Sequence, residues 1–340
     1  MFRPTRALIV AAAVLVLTAC GGSPDPSASQ SASPSPSPSP SDSASPTESP
    51  APTPTPTIPA TDTLDGITVT GKRLEAPKVE FETPLRIDET RYKVLEPGSG
   101  PKALEDGYVT VHYYGINART GDSFDESFST GVPATFPLNG VIPGFKKGLT
   151  GQQPGSRVLI AVTGEDGYDP SYQIDPQYAP EGYELFDTLL FVVDVIDVSL
   201  AEPAGKEVTP LAGLPTVSSG TGKPEVTIPS ADPPTKLVAQ TLIEGDGRKL
   251  EEGDTILARY VGVSWKTGKV FDDGFASATT GELSEGSLIP GWVKGLKGKT
   301  VGSRVLLVLP PEDGYPDGSN TPPVEKGDTI VYVVDLLFAY

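Results

Sequence analysis

Val109, Val111 and Tyr113 alternate with polar neighbours, and Ile256, Ala258 and Tyr260 do the same, the period-two pattern of strands buried on one face. Further β-rich runs lie at Arg157–Val162 and Leu189–Val195, and again at Arg304–Leu309 and Thr329–Leu337. Helical spacing is confined to two short stretches, Ile142, Phe145 and Leu149, then Ile289, Trp292 and Leu296, each at i, i+3, i+7. Many strands with one short helix in each set predict an α+β fold: an antiparallel sheet with the helix packed on one face.

The elements come in pairs because the chain repeats itself. A shift of 147 positions lays Leu64–Tyr168 on Leu211–Tyr315 without a gap, with Tyr113 on Tyr260, Gly115 on Gly262, Phe124 on Phe271, Asp125 on Asp272, Ile142 on Ile289 and Arg157 on Arg304. Past Tyr168 the shift falls to 141, since Phe191–Asp194 pairs with Tyr332–Asp335, so the first repeat carries a loop six residues longer. A period this long describes two whole domains, expected at 61–199 and 211–340 with a short linker at 200–210. The segments Leu64–Glu89 and Leu211–Lys236 are each expected to add a strand.

Composition narrows the chemistry. Hydrophobic residues at 37% supply a core for each domain. A formal charge of −18, with one His and no basic block, gives no footprint for nucleic acid. A single Cys excludes an intrachain disulfide and, with the single His, a Cys/His zinc site, so neither metal nor cofactor is expected.

That Cys stands in an informative place. Residues 1–19 carry Arg3 and Arg6 and then an uncharged apolar run from Ala7 to Leu17, the layout of an export signal and too short to span a bilayer. Leu17-Thr18-Ala19-Cys20 resembles a bacterial lipobox, in which cleavage before the Cys leaves its thiol to carry lipid; an ordinary cleaved signal is the alternative. Residues 20–60 are almost wholly Ser, Pro, Ala, Thr and Asp, a tether too polar to offset its ordering entropy. In polyproline II form, at about 3.1 Å per residue, it reaches on the order of 100 Å. The expected location is the cell membrane, lipid-anchored on its extracytoplasmic side.

The repeats share a spaced series of motifs. The second reads Arg259-Tyr260-Val261-Gly262, Phe271-Asp272, Leu288-Ile289-Pro290-Gly291-Trp292, Gly302-Ser303-Arg304, Pro311-Glu312-Asp313-Gly314-Tyr315 and Val331-Tyr332-Val333-Val334-Asp335. The first reads His112-Tyr113-Tyr114-Gly115, Phe124-Asp125, Val141-Ile142-Pro143-Gly144-Phe145, Gly155-Ser156-Arg157, Gly167-Tyr168 and Leu190-Phe191-Val192-Val193-Asp194. In order and spacing both series resemble the FK506-binding-protein (FKBP) family of peptidyl-prolyl isomerases, over about 100 residues each.

The resemblance implies two tandem domains, each a twisted antiparallel sheet wrapped around one short helix with an aromatic pocket between. The proline ring would sit on Trp292 in the second domain, walled by Tyr260, Phe271, Leu288, Ile289 and Tyr332, and on Phe145 in the first, walled by Tyr113, Phe124, Val141, Ile142 and Phe191. The substrate carbonyl would accept from the N–H of Ile289 or Ile142 and from the hydroxyl of Tyr315 or Tyr168. Asp272 and Asp125 would orient groups at the rim, although an Asp after a strand also fits an ordinary turn. Implied partners are proline-containing exported polypeptides and FK506-like macrolides. A non-catalytic module or chaperone that holds proline segments is the competing function. Many family members carry a pocket Phe before the helix; the first repeat has Phe136, and the gapless shift sets Leu283 against it. Gly144 and Gly291 read as backbone accommodations at the helix start.

Isomerisation needs no nucleophile. Resonance opposes rotation of an amide by ~18–20 kcal/mol, and X-Pro bonds turn over in tens to hundreds of seconds unaided. Twisting the C–N bond makes the amide less polar, so an apolar pocket favours the twisted state over the planar one. An acceleration of about 10⁵-fold takes roughly 7 kcal/mol of such preference.

If Cys20 is the anchor, Cys20→Ser releases the protein from the membrane fraction into the medium or soluble fraction. Unchanged membrane association in a fractionation assay contradicts the anchor.

Overall fold

The computed structural model describes residues 55–340; the signal segment, Cys20 and the tether up to residue 54 lie outside the described residues. In the first domain an antiparallel sheet runs Arg91–Glu96, Arg157–Val162, Leu189–Val198, Tyr108–Asn117 and Ser123–Glu126, with Ala134–Pro137 also paired to Tyr108–Asn117. The second domain repeats the order as Val238–Gly245, Arg304–Leu309, Ile330–Ala339, Thr255–Ser264 and Val270–Asp273, with Thr279–Glu282 on Thr255–Ser264.

The helices Pro143–Leu149 and Pro290–Leu296 lie against the central strands. Proline at the helix start suits a position whose N–H has no intrahelical partner. Gly144 and Gly291 are there for contact rather than for backbone freedom. A Cβ on Gly144 would stand 2.2 Å from Val162 Cγ1, and one on Gly291 2.5 Å from Leu309 Cδ2. Gly148 and Gly295, one turn on, meet Ile160 and Leu307 in the same way, so each helix presses a bare face onto its strand.

The alternation predicts one covered sheet face, but both are covered. Ile256 and Ala258 pack toward the helix, while Val261 and Val263, each 1% exposed, pack on the opposite side. The covering comes from the segments expected to add one strand each. They form small hairpins instead: Thr68–Thr70 with Lys78–Glu80, and Thr216–Val217 with Val226–Thr227. Leu64, Ile67 and Ile87 bury against Leu159, Leu190 and Val192, and Leu214, Val217, Val226 and Ile228 against Val308, Val331 and Val333.

A buried ion pair fastens each hairpin region to its sheet. Arg157 Nε and Nη2 donate to Asp194 Oδ1 and Oδ2 at 2.7 and 2.8 Å, and both side chains are almost wholly buried. The remaining guanidinium donors reach the carbonyls of Gly71 (2.9 Å) and Glu75 (3.0 Å). Arg304 pairs with Asp335 at 2.6 and 2.7 Å and donates to the carbonyls of Gly220, Thr221 and Gly222.

The domains differ between the last two long strands. In the first, the longer connection folds into a second helical turn, Asp169–Tyr172, followed by Pro176–Tyr178, in place of the single short helix expected. Buried Asp169 holds this loop, accepting from the Tyr183 hydroxyl (2.7 Å) and the Phe186 N–H (3.0 Å). The segment between the domains is also ordered by pairing: Gly205–Glu207 adds an edge strand to Val238–Gly245. Leu200 N–H donates to Leu337 O, and Tyr108 of the first domain lies 6.2 Å from Phe338 and 5.9 Å from Tyr340, ring to ring.

Arg304→Met leaves Asp335 buried without its partner and three carbonyls without a donor, and is expected to cost the chain about 3–5 kcal/mol. Arg304→Met with Asp335→Leu is expected to recover much of that loss, because the uncompensated charge goes with it. Denaturant melts of the two variants decide the order; equal destabilisation refutes it.

Candidate functional site

Between helix and sheet each domain holds a cavity. In the second, the floor is Trp292, 7% exposed, boxed by edge-on rings: Tyr260 at 5.2 Å and 86°, and Tyr332 at 5.3 Å and 83°. Tyr260, Asp272, Leu288, Ile289, Tyr315 and Tyr332 line it with the Trp, and its volume is about 330 Å³. Phe271 is not among the lining residues; its ring stands edge-on to Tyr332 at 5.6 Å. In the first domain Tyr113, Phe124, Asp125, Val141, Ile142, Phe145, Tyr168 and Phe191 all line a cavity of about 60 Å³. Phe191 stands edge-on to the Phe145 floor at 5.0 Å.

The structure assigns the pocket Phe differently from the gapless shift. Phe136 pairs with Val109, and Val109 corresponds to Ile256, whose partner across the strands is Gly281. Gly281 therefore occupies the place of Phe136. Leu283 corresponds instead to Leu138: both are fully buried, and their N–H groups donate to the carbonyls of Asp254 and Gly107. The second repeat is two residues shorter before this strand and two longer after it, a compensated slip that a single shift cannot reveal. Thr279, Thr280, Gly281, Ser287, Ile256 and Ala258 thus join the second cavity unforeseen. Strand pairing alone gives them away.

Each rim carboxylate is held by a phenol, but not the same one. The Tyr113 hydroxyl donates to Asp125 Oδ2 at 2.7 Å, whereas Asp272 Oδ2 accepts from Tyr332 at 2.9 Å. Phe191 stands where Tyr332 does, so the first domain has no hydroxyl there and uses the strand Tyr108–Asn117 instead. Burial pushes the Asp125 carboxyl up and the phenols of Tyr113, Tyr315 and Tyr332 up, and takes Tyr168 up to about 12. All these phenols keep their protons at neutral pH and remain donors. The amide N–H groups of Ile142 and Ile289, each just before a helix, make no backbone hydrogen bond among the described residues. His112 lies off the pocket, stacked on Phe128 at 5.0 Å with Nδ1 2.9 Å from Ser127 Oγ.

Each domain thus sets an aromatic-floored apolar cavity between a sheet and one helix, edged by phenols and by an amide N–H without a backbone partner among the described residues. The FKBP-type peptidyl-prolyl cis-trans isomerase family matches this chain twice, over residues 100–196 and 246–337. The chain is 36% identical over 118 residues to a probable FK506-binding protein of Corynebacterium glutamicum, a match covering 34% of this chain and 98% of that protein. It is also 36% identical over 118 residues to an FK506-binding protein of Streptomyces anulatus, covering 34% of this chain and 95% of that one. Among solved structures, FkpA from Escherichia coli is 32% identical over 32% of this chain and 47% of its own, with a TM-score of 0.28. The chain belongs to the FKBP-type peptidyl-prolyl cis-trans isomerase family, with two such domains in tandem.

Because the donors titrate far above neutrality and the step moves no proton, the turnover number is expected to stay flat between about pH 6 and 8. A bell-shaped profile in that range, measured with a proline tetrapeptide, contradicts catalysis by pocket solvation.

Proposed function

We propose that the second domain carries most of the isomerase turnover and the first mainly holds proline-containing segments. The supporting observation is the cavity over Trp292, about 330 Å³ against about 60 Å³ over Phe145. The indole offers the broader apolar floor, and differential solvation of a twisted amide grows with the apolar surface that meets it. Phe136, 5.7 Å from the Phe145 ring, crowds the first floor and favours holding over turnover there. In this scheme Trp292 seats the ring, the Ile289 N–H and the Tyr315 hydroxyl steady the carbonyl, and Asp272, held by Tyr332, fixes the rim. Tyr260 and Leu288 exclude water. The first domain would use Phe145, Ile142, Tyr168 and Asp125 in the same places.

The clients in this proposal are exported polypeptides, met at the outer face of the cytoplasmic membrane where Cys20 would anchor the chain. The support lies in the apolar run and small residues before Cys20 and in the Pro- and Ser-rich stretch that follows. FK506-like macrolides would compete for the same floors, the Trp292 site binding more tightly.

In the full chain, Trp292→Ala is expected to lower kcat/KM for a proline tetrapeptide by more than tenfold, with Phe145→Ala and Asp272→Asn each costing far less. Truncating a buried aromatic costs about 3–5 kcal/mol, so folding is followed by circular dichroism alongside. A folded Trp292→Ala chain with full activity refutes the assignment.

A further inference from the structure

Gly281 leaves open a space that Phe136 fills in the first domain. There Phe136 stands over Phe145, and neither Val109 nor Val111 lines the cavity. In the second domain the cavity runs on past Trp292 to Ile256 and Ala258, the counterparts of those two valines. Leu288, where the first domain has Val141, takes up part of the room: a Cβ on Gly281 would stand 3.0 Å from its Cδ2. Thr279, Thr280 and Ser287 put hydroxyl-bearing residues along the wall. The Trp292 indole N–H is buried without a hydrogen-bond partner among the described residues.

We propose that this extension is a subsite for a substituent on the proline ring, through which the second domain accepts 4-substituted prolines that the first rejects, and favours polar substituents over apolar ones. The inference rests on Trp292 being the floor under the ring. Ile256 and Ala258, at 1% and 2% exposure, lie too deep for the backbone of an extended segment, whose peptide groups would lose their hydrogen bonds there. A substituent projecting from the ring carries no such penalty. Thr279, Thr280 and Ser287 along the wall favour an occupant with an oxygen, which finds hydroxyl partners there that a methyl group does not. In the first domain the Phe136 ring occupies the same volume, and a well-packed wall does not yield to extra atoms without strain.

The test compares tetrapeptides carrying proline, 4-hydroxyproline or 4-methylproline, using the full chain and reading the ratio of kcat/KM for substituted over plain proline. The wild-type chain is expected to turn over the hydroxylated peptide nearly as well as the plain one, and better than the methylated one. Gly281→Phe with Leu288→Val recreates the first domain's wall and is expected to lower the hydroxyproline ratio by about tenfold or more, the usual effect of a group that no longer fits. Gly281→Ala, a milder change that presses Leu288 aside, should move the ratio the same way and covers the case in which the double variant fails to fold. Unchanged ratios in folded variants, or a preference for methylproline, overturn the proposal. Trp292→Ala separates the two ideas: if plain-proline activity survives it, the assignment of the floor fails, whatever the ratios show.

Discussion

A guanidinium and a carboxylate facing each other without water govern the architecture of both domains. Removing such charges from solvent costs several kcal/mol apiece, which their attraction offsets when geometry and additional hydrogen bonds are good. Arg157 and Arg304 meet that condition with two-pronged contacts to Asp194 and Asp335, and their remaining donors go to backbone carbonyls at the hairpin turns. The pair thus ties three things at one point: the two central strands and the hairpin region on the convex side. With that side closed, the strands can be apolar on both faces, and the opposite face is free to receive the helix and shape the cavity. The Leu74 N–H adds a further bond to Asp194 at 2.6 Å, from a residue with φ of 65°, so the turn accepts some backbone strain to complete the carboxylate's partners.

How much of this was legible depends on the range over which each signal acts. Period-two alternation located the strands, and the i, i+3, i+7 spacing found both helices, because these patterns are local. Seven of the eight residues assigned to the second site line its cavity, and all eight of the first do, since the motif series fixes which side of each strand a residue faces. What could not be read depends on pairing between distant segments. The hairpins over the convex face left only short, weak alternation in Leu64–Glu89 and Leu211–Lys236. Gly281 was invisible because the repeats keep the same total length through the slip around it. Phe271, edge-on to Tyr332, is the one residue of the second series outside the lining, because motif order gives a position near the pocket and not how neighbouring rings share its wall.

The two sites show how one scaffold diverges without changing its frame. Asp125 and Asp272 sit at matching rim positions, yet one is held by the phenol of Tyr113 and the other by that of Tyr332, on neighbouring strands. The second domain keeps a phenol, Tyr260, in the place of Tyr113, but its carboxylate takes the bond from Tyr332 on the neighbouring strand. A glycine in place of a phenylalanine and an indole in place of a phenyl then enlarge one cavity and leave the other filled, and the longer loop of the first domain closes its side with Tyr172 and Tyr183 packed into the core. Duplication gave each copy freedom to change its walls while the helix contact stayed constrained by Gly144, Gly148, Gly291 and Gly295.

The pairing of Gly205–Glu207 with Val238–Gly245 changes how the junction between the domains behaves toward proteases. A protease needs several residues of free, extended backbone, and interdomain connections are usually where it finds them. Here the N–H groups of Leu200, Ala204 and Val208 donate to Leu337, Gly302 and Leu242 carbonyls, so the connection is held along its length as part of the second domain's sheet. Its peptide bonds become available only when that sheet edge opens. The same strand covers Leu242–Gly245 against pairing with another chain, so a single segment both withholds the junction from a protease and blunts the end of an edge that would otherwise invite aggregation.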